Sequence, residues 1–441
     1  MLHISRDRST GFIGYEGFTM AILRLGITDR GAVPQSVAAF FGLYHESSGM
    51  LNKFRGEKNN RWRGFSEQPG KAVFDLQTRL RSFGFLPHGD LNGIFDYRTQ
   101  SSARLFQEYV RSVEKDASIG VADAIVGPKT FQHLDRWMSG GLTADWINAS
   151  SSNPTGAYKD WMSLLEKLKA HYQQAPSLML QKVEAFSEAS DTRSVVDWKF
   201  APEHVHLIGI RRGADTSWKI RINNDVFVLL VNGLVFMFFG STEPTPQGER
   251  RQRPPFLVPG QHLYRFGWHK VSSQEKVYRA FRPAKYGVLI IRDMPGSAPD
   301  ALDAADLERG AVQNNLTINI HWSGKHTSNW SAGCQVISGG GYINHHNDLI
   351  DCWQYAAATY TQLSNLTRAA YNVLLDLITI FSKNTSVSKG DLLHYTLINE
   401  SDLDLEPSIG ASKARDILNQ GLQILAANDR QKYNQYKDLL A

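Results

Sequence analysis

The residues whose types and spacing could do chemistry lie together in the stretch 318–341, INIHWSGKHTSNWSAGCQVISGGG. A strand is predicted to end at His321, a polar loop follows, and Ser331-Ala332-Gly333-Cys334 leads back into an apolar segment. A thiol acts as a nucleophile in its thiolate form, and a nearby imidazole can take up its proton. The pattern therefore predicts Cys334 as a nucleophile, with a nearby histidine to take up its proton.

The residue before Cys334 and the second cysteine bear on this prediction. Gly333 would let a substrate carbonyl approach the backbone and would leave amide N–H groups to hold an oxyanion. Cys352 lies in the apolar segment DLIDCWQYA, for which we predict a helix within 348–381 and a core position. Two cysteines cannot supply a disulfide framework for 441 residues. The alternative for Cys334 is an inert, buried thiol.

The composition is that of a globular chain. Hydrophobic residues make up 42% of the sequence and charged residues 21%, which argues against a disordered protein. With a formal charge of +5 and a pI near 9.0, the chain suits an anionic partner such as cell wall, a membrane surface or nucleic acid, and the charge does not choose among them. The sequence contains no Lys/Arg-rich run or zinc-finger spacing, so we expect no nucleic-acid partner.

We predict neither a Sec signal nor a membrane span. The chain begins MLHISRDRSTGF, with charges where a secretory signal would place its apolar stretch. The most apolar run, 226–240, is short for a membrane span and is interrupted by Asn232-Gly233. Asn-Gly between two β-rich runs predicts a hairpin instead. We therefore expect a soluble protein made in the cytoplasm; if its substrate is cell wall, it must reach the periplasm or cell wall by a route other than Sec.

An internal repeat occurs within residues 71–137. The octets NGIFDYRT (92–99) and DAIVGPKT (123–130) each read as a turn followed by a helix start. With Leu76-Gln77 before the first octet and Phe106-Gln107 after it, the pattern resembles the peptidoglycan-binding domain family, a module of three short helices. Asp96 and Ala124 depart from the glycines usual in its turns. The resemblance implies binding to cell wall, and a plain spacer is the alternative.

After a helix predicted at 157–174, the sequence favours β-structure from residue 195 onward. Candidate strands are 204–211, 219–223, 226–231, 234–240, 261–268, 288–292, 317–321 and 392–399. Asn-Asn, Asn-Gly and Pro-Gly turns separate several of them, which predicts a mostly antiparallel sheet.

This β-rich part carries two separated motifs. His321, Ser331, Gly333 and Cys334 follow the order of a strand-end His, a loop and Ser/Thr-His-Gly-Cys, and Thr245-Pro246-Gln247-Gly248 precedes them. Residues 200–345 thereby resemble the L,D-transpeptidase catalytic family. The resemblance implies acyl transfer, in which Cys334 attacks the carbonyl between the third and fourth residues of a peptidoglycan stem peptide. It implies His321 as base, Ser331 and Gly333 as further catalytic residues, and no cofactor.

The chain also departs from the family pattern. Ala332 replaces the family's second His, for which His326 in the loop is a candidate substitute. Trp322 stands where a small residue usually follows the base, so only its backbone carbonyl could orient the imidazole. We assign substrate contacts to Trp322, Trp330 and Gln335. These departures indicate a divergent member, closer to phage-type and effector-type enzymes.

The fold class predicted from these observations is α+β and multidomain. It combines a three-helix peptidoglycan-binding module with a mostly antiparallel L,D-transpeptidase-like sheet domain and appended helices. The predicted units are an N-terminal helical segment (1–68), the binding module (69–138), a linker with a packing helix (139–194), the catalytic domain (195–402) and a C-terminal helical tail (403–441).

The predicted function is modification of stem peptides by L,D-carboxypeptidase, D-amino-acid exchange or L,D-transpeptidase chemistry. A catalytically inactive wall-binding or phage component is the alternative. Delivery as an antibacterial effector or lysis enzyme would add a secretion-system component and an immunity protein as partners.

We predict no metal site. His345-His346 and His204-Val205-His206 invite a zinc interpretation, because imidazole is a common zinc ligand. However, no carboxylate or third histidine falls at a recognisable ligand spacing from either pair.

Overall fold

The computed structural model describes residues 22–32, 66–68, 70–212, 223–244, 254–270, 276–292, 310–325, 331–383 and 392–427, with the side chains of 422–427 excepted. Most of the predicted N-terminal helical segment and most of the predicted strand 219–223 lie outside these residues. Within the described parts the protein has an α+β fold.

The helices are α1 (Ala72–Ser82), α2 (Tyr97–Ser112), α3 (Pro128–Gly140), α4 (Gly156–Gln174), α5 (Leu178–Glu184), α6 (Ala370–Phe381) and α7 (Ala411–Ala427). Their starts follow ordinary capping chemistry: Asp96 accepts a hydrogen bond from Thr99 N at 2.8 Å before α2, and α3 has Pro128 in its first turn. The predicted helix 157–174 is confirmed as α4. No helix in the described part of the chain has the length and apolarity that a membrane crossing requires.

The two repeated octets form turns held by the same hydrogen bonds. The Gln77 amide donates to the Thr99 hydroxyl at 2.9 Å and accepts from the N–H of Gly93 at 2.9 Å. Gln107 does the same in the second turn, donating to the Thr130 hydroxyl at 3.0 Å and accepting from Ala124 N at 2.8 Å. Gly93 and Ala124 both have positive φ, 69° and 65°. The repeat seen in the sequence is therefore a structural repeat.

The strands are β1 (Ile27–Asp29), β2 (Ser66–Gln68), β3 (Val205–Arg211), β4 (Asp225–Val231), β5 (Leu234–Ser241), β6 (Pro255–Leu257), β7 (Gly260–His269), β8 (Tyr278–Pro283), β9 (Val288–Arg292), β10 (Gln313–Asn315), β11 (Ile320–Trp322), β12 (Gln335–Ile343), β13 (Leu349–Asp351) and β14 (Leu393–Asn399). Strands β1 and β2 form a small parallel pair, and β10, β9 and β6 form a second sheet.

The main sheet closes on itself. Its order is β11-β8-β7-β14-β3-β4-β5-β12-β13, and an additional pairing of β11 with β12 closes the sheet into a barrel. The pairings of β3 with β14 and of β11 with β12 are parallel, and the others are antiparallel. The predicted hairpin is confirmed, because Asn232 (φ 50°) and Gly233 (φ 78°) join β4 to β5 in a turn that needs two positive φ angles.

The prediction of a continuous helix over 348–381 is wrong in its first part. Residues 349–351 form β13 against β12, and only Ala370–Phe381 is an α-helix. The N–H of Cys352 donates to the carbonyl of Gly340 at 2.9 Å, outside any helix. Apolar spacing alone does not separate a short buried strand from a helical turn, and here pairing with β12 decides the outcome.

One hydrophobic core runs through α1, α2, α3, α6 and the inner face of the main sheet. Every residue of α6 is buried, and α6 packs against α2. Between these helices Arg104 donates to Asp376 through two nitrogens, at 2.6 and 2.8 Å, and Arg279 approaches the same carboxylate at 3.3 Å. The three short helices are thus packed into the sheet-bearing part of the molecule.

Candidate active site

The closing strands of the sheet bring Cys334 and His321 to the same place. Strands β11 and β12 run parallel with His321 opposite Val336, and the N–H of Gln335 donates to the carbonyl of Asn319 at 2.9 Å. Cys334 directly precedes β12. Cys334 therefore lies next to the segment that carries Asn319 and His321, and its Sγ contacts the backbone N–H of Asn319 at 3.4 Å.

A tight turn fixes the backbone at the thiol. The hydroxyl of Ser331 donates to the carbonyl of Cys334 at 2.6 Å and accepts from the N–H of Gly333 at 3.1 Å. Gly333 has φ 135°, and a Cβ at this position would lie 2.6 Å from Pro255 Cγ. Glycine is therefore required here by both conformation and space. In this arrangement the Gly333 amide, which we expected to hold an oxyanion, is occupied by Ser331.

The thiol of Cys334 is partly exposed and lies between two backbone groups. Its Sγ receives a hydrogen bond from the N–H of Asn319 at 3.4 Å and lies 3.3 Å from the carbonyl of Thr317. The first contact stabilises a thiolate, because an amide donor favours the charged form of the group it contacts. The second can accept the proton of the neutral thiol.

His321 is buried and oriented by its own strand. Its Nδ1 lies 2.8 Å from the carbonyl oxygen of Trp322, as expected from the sequence, and 3.2 Å from the Tyr278 hydroxyl. Burial lowers the pKa of His321 to about 4, against the opposing effect of the Trp322 hydrogen bond. The ring is therefore neutral at pH 7. With Nδ1 donating to Trp322, the lone pair is on Nε2, the atom that can accept a proton.

A second histidine, which the sequence analysis missed, stacks on the first. The His269 ring lies 4.0 Å from that of His321 with an interplanar angle of 16°. Asn319 links it to the thiol, since its side-chain Nδ2 lies 3.1 Å from His269 Nδ1 while its backbone N–H contacts Sγ. Burial lowers the pKa of His269, and the charge of His321 adds to the effect. The only signal in the sequence was its position, one residue beyond the predicted strand 261–268.

Two of the residues predicted to contact substrate are buried. Trp322 is 3% exposed and belongs to the hydrophobic core. Gln335 is fully buried, donates to the Thr242 carbonyl at 3.2 Å and accepts from the Tyr395 hydroxyl at 2.8 Å. Both side chains serve packing rather than a substrate-facing surface. Trp330, His326 and the 245–248 motif lie outside the described residues.

The other cysteine has the core position predicted for it. Cys352 is 1% exposed, and Arg111 Nη2 lies 3.5 Å from its Sγ. Burial raises the pKa of the Cys352 thiol, and the nearby Glu108 carboxylate raises it further. Cys352 therefore lacks both the access and the ionisation that a nucleophile needs.

The described geometry defines a class of site: a partly exposed thiol at a closed mixed sheet, connected through Asn319 to two stacked, neutral imidazoles. Such a site can carry out nucleophilic thiol chemistry with proton transfer to a histidine. No family model, curated protein or solved structure matches this chain. The functional assignment therefore rests on the residues themselves.

Proposed function

We propose that this protein is a cysteine acyltransferase or peptidase that acts on peptidoglycan stem peptides, with Cys334 as nucleophile. The observation that carries the proposal is a partly exposed thiol at the start of β12, whose parallel neighbour β11 carries the oriented, neutral His321. The sequence resemblance to L,D-transpeptidases supplies the substrate class. The two glutamine-held turns support a wall-binding role for the segment of α1, α2 and α3.

In the proposed reaction the Cys334 proton passes to His321 Nε2 and the sulfur attacks the stem-peptide carbonyl. The imidazolium then protonates the departing amine, which leaves as D-alanine. Water, a D-amino acid or a stem amine resolves the acyl-enzyme. All three outcomes share one covalent intermediate, so the same residues serve hydrolysis, exchange and cross-linking.

The low basicity of His321 shapes this proton transfer. A histidine with a pKa of about 4 is a weak base for a thiol of ordinary pKa near ~8.5, but its conjugate acid protonates an amine readily. The Asn319 amide at 3.4 Å adds a donor for the sulfur anion.

The test is mass spectrometry of muropeptides after incubation with the full chain. We expect loss of the terminal D-alanine, or its exchange, with wild type and with Cys352→Ala. Cys334→Ala should reduce turnover by on the order of 10³-fold or more, and His321→Gln by about 10²–10⁴-fold. Wild-type protein that sediments with sacculi yet yields no altered muropeptide would contradict the enzymatic proposal and favour an inactive wall-binding component.

A further inference from the structure

A second cluster of chemically competent side chains lies away from Cys334, where the helical segment meets the β12–β13 hairpin. His345 Nε2 lies 2.8 Å from Asp145 Oδ1, and His346 Nε2 hydrogen-bonds to Asp145 Oδ2, although about 200 residues separate the aspartate from the histidines. One ligand-type atom from each residue lies within 4.8 Å of the others. The long sequence separation is why no third ligand could be recognised in the sequence.

The scaffold holds all three side chains in place. In the hairpin turn, Asn344 Oδ1 accepts hydrogen bonds from the N–H groups of His346 and Asp348, each at 2.9 Å. On the other side, the 3-10 turn Asp145–Asn148 is anchored by Trp146, which is 5% exposed and whose Nε1 donates to the Gly84 carbonyl at 3.1 Å. The Trp146 ring also packs against the His345 ring, with centroids 5.2 Å apart.

We propose that Asp145, His345 and His346 form a binding site for a divalent metal ion of the zinc type. Two imidazole nitrogens and one carboxylate oxygen are ligands that Zn²⁺ and its neighbours in the first transition row accept. In a tetrahedral site with bonds of about 2.0–2.1 Å, donor atoms lie about 3.4 Å apart. The pair at 2.8 Å therefore needs to open by roughly half an ångström to admit the ion.

The residues around this site indicate what a bound ion would do and how tightly it would bind. The ion would connect the segment between α3 and α4 to the β12–β13 hairpin and would act as a clamp within the fold. Three protein ligands leave a fourth position for water or an external ligand. Among the described residues, His345 Nδ1 is buried without a hydrogen-bond partner. Because metal-bound histidines normally donate this second N–H, we expect an affinity about 10–100-fold weaker than that of a fully supported site.

The experiment uses the full chain without a histidine tag, stripped with a chelator. Zn²⁺ is titrated calorimetrically, and Co²⁺ is added as a probe whose visible spectrum reports nitrogen and oxygen coordination. We expect one ion per chain and a rise in Tm of about 3 °C at a Zn²⁺ concentration 100-fold above Kd. Asp145→Asn and His346→Ala should each weaken binding by at least about 10–100-fold.

The control is His171→Ala, which removes an exposed histidine of α4 and should bind like wild type. His346 and Asp145 are themselves exposed, and circular dichroism of each variant checks that it remains folded. The proposal is overturned by less than about 0.2 ion bound per chain, or by His346→Ala binding Zn²⁺ as tightly as His171→Ala does. Neither result bears on Cys334, so the proposed function is tested separately.

Discussion

At the scale of single residues, the two cysteines of this chain have opposite environments. Cys334 is partly exposed and its sulfur receives the Asn319 amide, whereas Cys352 is enclosed and burial raises its pKa. Thiol reactivity depends on both access and the fraction of thiolate. The reactivities of the two cysteines can therefore be compared within one molecule, and the comparison needs no substrate.

We predict that iodoacetamide near neutral pH alkylates Cys334 at least about ten times faster than Cys352, because only Cys334 combines access with a donor to the thiolate. Peptide mapping by mass spectrometry over time measures both rates. Cys352→Ala should leave the Cys334 rate unchanged. Equal, slow labelling of both cysteines in the folded protein would argue against a nucleophile at Cys334.

How far this site could be predicted from sequence differs from residue to residue. The residue types and spacing of His321 and Cys334, with the glycine before the thiol, predicted a nucleophile and its base, with His321 at the end of a strand. His269 could not be found, because it reaches His321 only through the pairing of β7 with β8 and of β8 with β11. The burial of Trp322 and Gln335 could not be foreseen, because sequence position near a nucleophile does not reveal which face of a strand a side chain occupies.

At the scale of elements, a buried charge cluster connects α2 and α6. Asp376 is fully buried and receives Arg104 through two nitrogens and Arg279 through one. Removing one partner of a buried ion pair leaves an uncompensated charge, which is far more costly than the pair itself is stabilising. The cluster ties the segment with the repeated turns to the helix next to the sheet.

We predict that Asp376→Ala lowers the free energy of unfolding by about 3–5 kcal/mol, because two buried guanidinium groups lose their counter-ion. The matched control is Asp135→Ala, which removes the partly exposed pair with Arg79 and should cost less than about 1 kcal/mol. Urea unfolding followed by tryptophan fluorescence measures both values. A similar small effect of the two substitutions would show that the α2–α6 contact does not depend on this carboxylate.

Helices and hairpins could be predicted where residues close together in the sequence determine them. The β4–β5 hairpin follows from Asn232-Gly233, and α4 follows from its apolar stripe. Strand β12 was not predicted, since its glycine-rich sequence QVISGGGYI has low strand propensity and is held by its neighbours β5, β11 and β13. The helix predicted for the first part of 348–381 was wrong for the same reason. Long-range strand pairing overrides the local periodicity of the apolar residues.

At the scale of the whole molecule, several histidines are buried in the neutral form. Burial lowers the pKa of His206 and of His321 to about 4, and that of His262 to about 3. An unfolded histidine takes up a proton near pH 6.5. Between pH 6.5 and 4 the unfolded chain therefore binds more protons than the folded one, and stability falls as the pH falls.

We predict that the free energy of unfolding decreases steadily from pH 7 to pH 5, each such histidine contributing up to about 1.4 kcal/mol per pH unit below 6.5. Carboxylates affect stability at lower pH. The hydrogen bond from Lys167 lowers the pKa of Glu406 from 4.5 to about 2, so the contribution of Glu406 to stability is lost only below pH 4.5. Urea titrations at pH 7, 6 and 5 measure the slope, with the exposed His171→Gln as control. Unchanged stability down to pH 5 would contradict this account.

The strand pairings that close the main sheet differ in length from one place to the next. Strands β4 and β5 are in register along the whole of Asp225–Val231, whereas β11 meets β8 in register at Ile320 alone and joins β12 over three residues. Local opening of a folded protein occurs first where the fewest hydrogen bonds must be broken. The short β11–β12 pairing lies beside Cys334, so we expect local opening of the sheet to begin next to the thiol, before the longer β4–β5 pairing opens.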